Sequence, residues 1–190
     1  MFVLLFLSLV SIALTINKYR LIININKKNK KITTKMLEES TLDKIVEYID
    51  SNSIECPLSN VMRKAKSVSG KEYSVIRDSI ESVAVVDIHK LENGLGWLST
   101  IAAVAPLIGF LGTVTGMVRV FINIAANSQQ GVDIALLSNG IWEALLTTVG
   151  GLIVGIPTII FYNDLVSHIE NNAKLLQEHV DSFLLKNNIY

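Results

Sequence analysis

Glu143 is the one charged residue between Ile134 and Tyr162, and Arg119 is the one charged residue between Leu98 and Ala126. An ionised side chain at the centre of an apolar span costs about 2.5 to 3.5 kcal/mol on insertion scales, so such a group normally faces a cavity or a partner. Glu143 is therefore a candidate functional group, and a purely structural ion pair is the plain alternative. Arg119 is the available mate. In an antiparallel hairpin, residues whose numbers share one sum lie at one depth, and Arg119 with Glu143 falls within one residue of the sum shared by Thr113 with Thr148 and Pro106 with Gly155. An Arg119–Glu143 pair toward the outer end, within one chain or between neighbours, is one expectation, with a threonine layer deeper in. The other is that Arg119 snorkels to the interface.

Other chemistry finds little support. Cys56 is the single cysteine, and His89, His168 and His179 are scattered without metal-ligand spacing, so neither a metal site nor thiol catalysis is expected. A phosphate-cradling glycine loop and a Gly-x-Ser-x-Gly elbow are both missing from the sequence. A membrane enzyme built on Glu143 would lack a second catalytic group, because the spans hold no histidine, cysteine or second carboxylate. With 17 basic and 17 acidic residues the formal net charge is zero, which gives nucleic-acid binding no electrostatic footing.

Half of the 190 residues are apolar and 18% are charged, and the apolar excess sits in three blocks. A bilayer core of about 30 Å needs about 20 helical residues. Leu98 to Ala126 and Ile134 to Tyr162 both exceed that length, and a polar stretch of Asn127, Ser128, Gln129, Gln130 and Gly131 turns between them. The first block, Met1 to Ile16, is shorter and precedes Lys18, Arg20, Lys27, Lys28, Lys30 and Lys31. A cleaved signal peptide would carry its positive charge ahead of the apolar stretch, with Ser11-Ile12-Ala13 here only a weak cleavage motif, so the block reads as an anchor with its N-terminus outside. Of the 17 basic residues, 14 lie between Lys18 and Lys90, which places that region in the cytoplasm. The expected organisation is a first span at 1–17, a cytoplasmic helical region at 18–96, a second span at 97–126, a periplasmic turn at 127–133, a third span at 134–162 and a cytoplasmic C-terminal helix at 163–190.

In the cytoplasmic part, Ser40-Thr41-Leu42-Asp43 resembles a capping box leading into Ile45, Val46 and Ile49, Cys56-Pro57 can open a second short helix, and Ser69-Gly70 is a break. From Glu72 onward Ile76, Ile80, Val83 and Asp87 keep helical spacing, and Gly94 and Gly96 are tolerable within one helix running on into span two. Leu165, Ile169, Leu176, Val180 and Phe183 stripe the tail, consistent with a cytoplasmic helical bundle. Span two gathers Ala102, Ala105, Gly109, Gly112, Thr113 and Gly116 on one side. Span three gathers Gly140, Ala144, Thr147, Gly151 and Gly155, with Glu143 and Thr148 at the edges. Small residues let helices approach closely in lipid, where no hydrophobic effect drives them together.

The stretch Leu98-Ser99-Thr100-Ile101-Ala102-Ala103-Val104-Ala105-Pro106-Leu107-Ile108-Gly109-Phe110-Leu111-Gly112-Thr113-Val114-Thr115-Gly116-Met117 resembles the second-span signature of the MotA/TolQ/ExbB proton-channel family. Gly140-Ile141-Trp142-Glu143-Ala144-Leu145-Leu146-Thr147-Thr148, Gly151-Leu152, Ile156-Pro157 and Tyr162-Asn163 resemble the third-span signature. The likeness covers about Gly94 to Asn163 and is nearest to the ExbB and TolQ branches. It implies an all-α integral membrane protein of three spans with long cytoplasmic helical extensions, assembled as a homopentamer in the bacterial inner membrane. The pore would hold a dimer of a single-span ExbD-like or TolR-like partner that carries the proton-bearing aspartate, and the output would drive a TonB-like or TolA-like protein. By resemblance Thr113 and Thr148 are polar pore residues, Glu143 is the family's third-span glutamate and Thr147 stands beside the matching threonine. Pro106, Gly109, Gly112, Gly116, Gly151 and Pro157 belong to the packing of the pore helices. The resemblance implies no cofactor beyond the coupling proton and assigns Arg119 no role. A MotA-type stator would be expected to have four spans, so the alternatives are a TolQ-type subunit and a non-conducting membrane scaffold.

Overall fold

A computed structural model describes residues 2–39, 41–126 and 134–186, and every regular element among them is an α-helix. The helices are α1 (Phe2–Glu38), α2 (Leu42–Ser51), α3 (Pro57–Ser67), α4 (Tyr73–Glu92), α5 (Leu95–Ala126) and α6 (Ile134–Lys186). The polar turn expected at 127–133 and Ser40 of the expected capping box lie outside the described residues. So does the end of the C-terminal helix at 187–190. Three stretches, Phe2–Glu38, Tyr73–Ala126 and Leu137–Ser182, are long and apolar enough to cross a membrane. The chain divides into two compact units, one of Met1–Ile16 with Gly94–Asp164, the other of Asn17–Asn93 with Leu165–Tyr190.

The first unit contains the start of α1, all of α5 and the first part of α6. Large apolar side chains such as Leu107, Phe110, Val118, Trp142 and Ile153 are exposed on it, as they would be where the surrounding solvent is lipid or other apolar helices. Between α1 and α6 the contact is partly polar. The hydroxyls of Ser11 and Thr158 meet at 2.8 Å, and both residues are buried. Thr158 also donates to the Val154 carbonyl at 2.7 Å, within its own helix.

The second unit is built on an apolar core to which four consecutive elements and the tail contribute. Ile32 of α1, Ile45 and Ile49 of α2, Leu58, Val61 and Met62 of α3, Ile76 and Ile80 of α4, and Leu176 and Val180 of α6 all belong to it. The helical spacing of these residues puts them on one face of each element. Cys56-Pro57 begins α3, where the Cys56 amide donates to Ser59 Oγ at 2.9 Å and Ser59 Oγ donates back to the Cys56 carbonyl at 2.8 Å. Thr41 precedes α2 without a capping bond from its side chain. Two of the basic residues behind the first apolar block have structural partners: Lys18 Nζ donates to the Leu91 carbonyl at 2.9 Å in the last turn of α4, and Lys28 Nζ to the Glu55 carbonyl at 3.0 Å. The Lys18 cation complements the partial negative charge at the C-terminal end of α4. Asp87 is buried but satisfied, accepting from Asn60 Nδ2 at 2.7 Å and from Lys90 Nζ at 2.8 Å.

One local expectation changes. The pattern from Glu72 onward reads as a single helix entering span two, whereas α4 ends at Glu92 and α5 begins at Leu95. Gly94 adopts φ +89°, a left-handed conformation open to a residue without a Cβ, and this ends α4.

Ile49 is fully buried in the core of the second unit, and Ile49→Ala is expected to lower stability by about 2 to 5 kcal/mol through lost burial and the cavity left behind. Thermal unfolding in mild detergent, compared with the parent chain, checks this.

Candidate functional site

The site begins with the absence of side chains. A Cβ added to Gly109 of α5 would stand 2.8 Å from the Thr147 carbonyl oxygen and 3.0 Å from Gly151 Cα, and one added to Gly151 of α6 would stand 2.6 Å from the Ala105 carbonyl oxygen. Gly112 lies against the Thr147 side chain, and a Cβ on Gly116 would meet that of Ala144 at 2.7 Å. The small faces of α5 and α6 thus meet with their backbones in near contact. Pro106 within α5 packs beside Gly155, where a Cβ would be 2.6 Å from the proline Cγ and 3.2 Å from the Ala102 carbonyl. That carbonyl is the one a proline at 106 leaves without its helical N–H donor. Pro157 lies within α6 and is exposed.

This closeness brings three hydroxyls to one acceptor. Thr148 Oγ1 lies 3.1 Å from the Gly109 carbonyl oxygen, Thr147 Oγ1 3.2 Å and Thr113 Oγ1 3.4 Å. Thr113 and Thr148 also hydrogen-bond directly, hydroxyl to hydroxyl, across the helix pair. Each has alternatives: Thr147 can donate to the Ala144 carbonyl at 2.7 Å, and Thr113 to the same carbonyl at 3.4 Å. A carbonyl oxygen has two lone pairs, so the three hydroxyls cannot all donate to Gly109 at once. Their hydrogens must be shared among several acceptors, and a hydroxyl rotates readily to suit. The arrangement can solvate a charge or a polar visitor at its edge without breaking the helices.

The other two residues of the expected site lie apart from this cluster. Glu143 and Arg119 are both exposed, and no ion pair joins them within the chain among the described residues. Glu143 is adjacent in sequence to Ala144, which is buried against Gly116, so its side chain leaves the hairpin at the border of the packed face.

A second polar contact is not apparent from the spans taken one at a time. Ser11, Thr15 and Thr158 are buried, and Thr15 Oγ1 has no hydrogen-bond partner among the described residues. The four-residue spacing of Ser11 and Thr15 puts both hydroxyls on one face of α1. That spacing is the one signal that could have pointed to a polar seam in the first span.

The model of the MotA/TolQ/ExbB proton channel family matches residues 46–178, a stretch that includes the whole hydroxyl cluster and its glycines. The chain belongs to the MotA/TolQ/ExbB proton channel family. It is similar to a Methanothermobacter thermautotrophicus protein named as a biopolymer transport protein ExbB homolog, with 33% identity over 121 residues, 64% of this chain and 42% of that protein. To the biopolymer transport protein ExbB of Salmonella typhimurium it is 44% identical over 71 residues, 37% of this chain and 28% of that protein. To the biopolymer transport protein ExbB of Neisseria gonorrhoeae it is 29% identical over 174 residues, 82% of this chain and 74% of that protein. The match thus spans less than half of the Methanothermobacter relative. The family is one of transport channels rather than enzymes, and with three helices able to cross a bilayer the chain is a multi-pass membrane protein.

Gly109→Ala and Gly151→Ala are each expected to cost about 1 to 3 kcal/mol by forcing α5 and α6 apart. Gly96→Ala, where a Cβ meets nothing within 4 Å, is expected to be harmless. Thermal unfolding of the three variants in one detergent separates the outcomes.

Proposed function

We propose that this chain is the channel and stator subunit of an ExbB-ExbD-type motor in the bacterial inner membrane. There it would use the proton motive force to energise TonB-dependent transport across the outer membrane. The observation that supports this best is the cluster of Thr113, Thr147 and Thr148 around the Gly109 carbonyl, set in the two spans that the family model covers. Relatives named ExbB favour that branch over a TolQ-type subunit.

In this reading 1–17, 97–126 and 134–162 span the membrane, 127–133 turns in the periplasm, and 18–96 and 163–190 are cytoplasmic. Five copies surround a dimer of an ExbD-like single-span protein whose aspartate carries the proton. An elementary charge crossing the membrane releases about 2.3 kcal/mol per 100 mV. Protonating a carboxylate in an apolar pore removes the cost of keeping it charged there, and threonine hydroxyls with rotatable hydrogens can solvate it while charged. Five identical chains around two helices cannot all make the same contact, so each proton transfer favours a new rotational alignment. Glu143, exposed on the single chain, faces the pore or a neighbour in the assembly, where Arg119 of the same or an adjacent chain is its available counter-charge.

Thr148→Val and Glu143→Ala are expected to reduce proton flux in reconstituted vesicles by at least about tenfold, equivalent to about 1.4 kcal/mol in the barrier, with assembly intact. Native mass spectrometry after co-expression with the single-span partner is expected to give five 20.9 kDa chains and two partners. Unchanged flux in both variants would leave a non-conducting scaffold as the better reading. For the ion pair, the Arg119→Glu/Glu143→Arg double variant is expected to recover flux that each single change removes, and a double variant as inactive as the singles would discard the pair.

A further inference from the structure

The second unit contains a cleft of about 380 Å³ between α1 and α6, a volume within the range of small-molecule sites. Polar side chains line it on both sides, beside Leu175 and Leu176. From α1 come Asn26, Asn29 and Lys30, and from α6 His168, Asn171 and His179, with Leu58 at its base. The α1 residues follow helical spacing, as do those of α6, so in each case one face of the helix is turned to the cleft. None of the residues lining it is acidic, although acidic and basic residues are equal in number over the chain.

Two further observations bear on what would fill it. Asn29 Oδ1 is buried and has no hydrogen-bond partner among the described residues, and a buried polar atom of that kind calls for a donor. Lys30 makes no ion pair among the described residues, whereas Lys28 two residues earlier is held by the Glu55 carbonyl. The cleft thus offers one ammonium, several amide N–H donors and two imidazoles, together with one acceptor that needs an O–H or N–H.

We propose that this cleft binds an oxyanion of the phosphate class that retains a hydroxyl, its charged oxygens on Lys30 and the asparagine amides and its O–H donated to Asn29 Oδ1 once that amide turns from its buried position toward the cleft. Charge-assisted hydrogen bonds from an ammonium to phosphate oxygens are the stronger kind. Inorganic phosphate carries an O–H at neutral pH, and so does the glycerol headgroup of phosphatidylglycerol, so the same chemistry has a soluble and a membrane source.

The test uses the full chain in a neutral detergent. Radiolabelled inorganic phosphate is expected to bind saturably in equilibrium dialysis at fixed ionic strength, and Lys30→Gln, at an exposed position, to weaken binding about tenfold or more without changing the melting temperature in chloride. Where phosphate does not bind but native mass spectrometry from phosphatidylglycerol nanodiscs shows a retained lipid that Lys30→Gln releases, the site stands and its ligand is the headgroup. Binding of neither probe, or binding that Lys30→Gln leaves unchanged, overturns the proposal. None of these readouts depends on proton flux, so their failure is separate from failure of the channel reading.

Discussion

The close approach of α5 and α6 at Gly109 and Gly151 is the constraint on which the rest of the first unit depends. A Cβ added at either position would stand 2.6 to 3.0 Å from backbone atoms of the facing helix, so the two backbones would have to separate. Thr147 and Thr148 of α6 would then lose the Gly109 carbonyl, which Thr113 reaches within its own helix. In lipid, helices associate through packing and hydrogen bonds because apolar burial drives nothing. A seam of glycines answers that need and also places the threonines where their hydrogens have more acceptors than they can use. Packing and polarity thus share the same few residues.

A different force organises the second unit. Its core is assembled by burial of Ile, Leu, Val and Met from five helices, the ordinary aqueous driving force of about 25 cal/mol per Å² of apolar surface. Exposed ion pairs such as Arg63 with Asp50 and Lys66 with Asp43 lie on its surface, where each is worth at most about 1 kcal/mol. Long helices α1 and α6 contribute to both units, so one continuous hydrogen-bonded backbone serves a unit with many large apolar side chains exposed and a unit with a buried apolar core. The difference is visible in the side chains: Ser11 and Thr158, both buried, bond to each other, whereas Lys18 and Lys28 reach for backbone carbonyls of the second unit.

Much of this was legible from residue order, for reasons that can be named. Apolar length alone marks the spans, because a bilayer core has a set thickness. Counting along an antiparallel hairpin places Thr113 beside Thr148 and Pro106 beside Gly155, since both helices rise by the same amount per residue. The start of α3 at Cys56-Pro57 was legible because proline is suited to a first helical turn. The break at Gly94 was not, because a glycine in a helical pattern is compatible with continuation, and its positive φ is a choice made by the surrounding fold.

Sequence by itself determined the helical class, the three apolar stretches, the glycine and threonine faces and the family likeness, all of which rest on local periodicity or on contiguous motifs. Only the tertiary structure decided that Ser11 meets Thr158 across 147 positions, that three hydroxyls converge on the Gly109 carbonyl, and that α1 and α6 enclose a cleft lined without a carboxylate. The physical reason is the same in each case. Periodicity states which face of a helix a residue occupies, but which other face it meets depends on the rotation and offset of two helices, and those are set by the packing of every side chain between them.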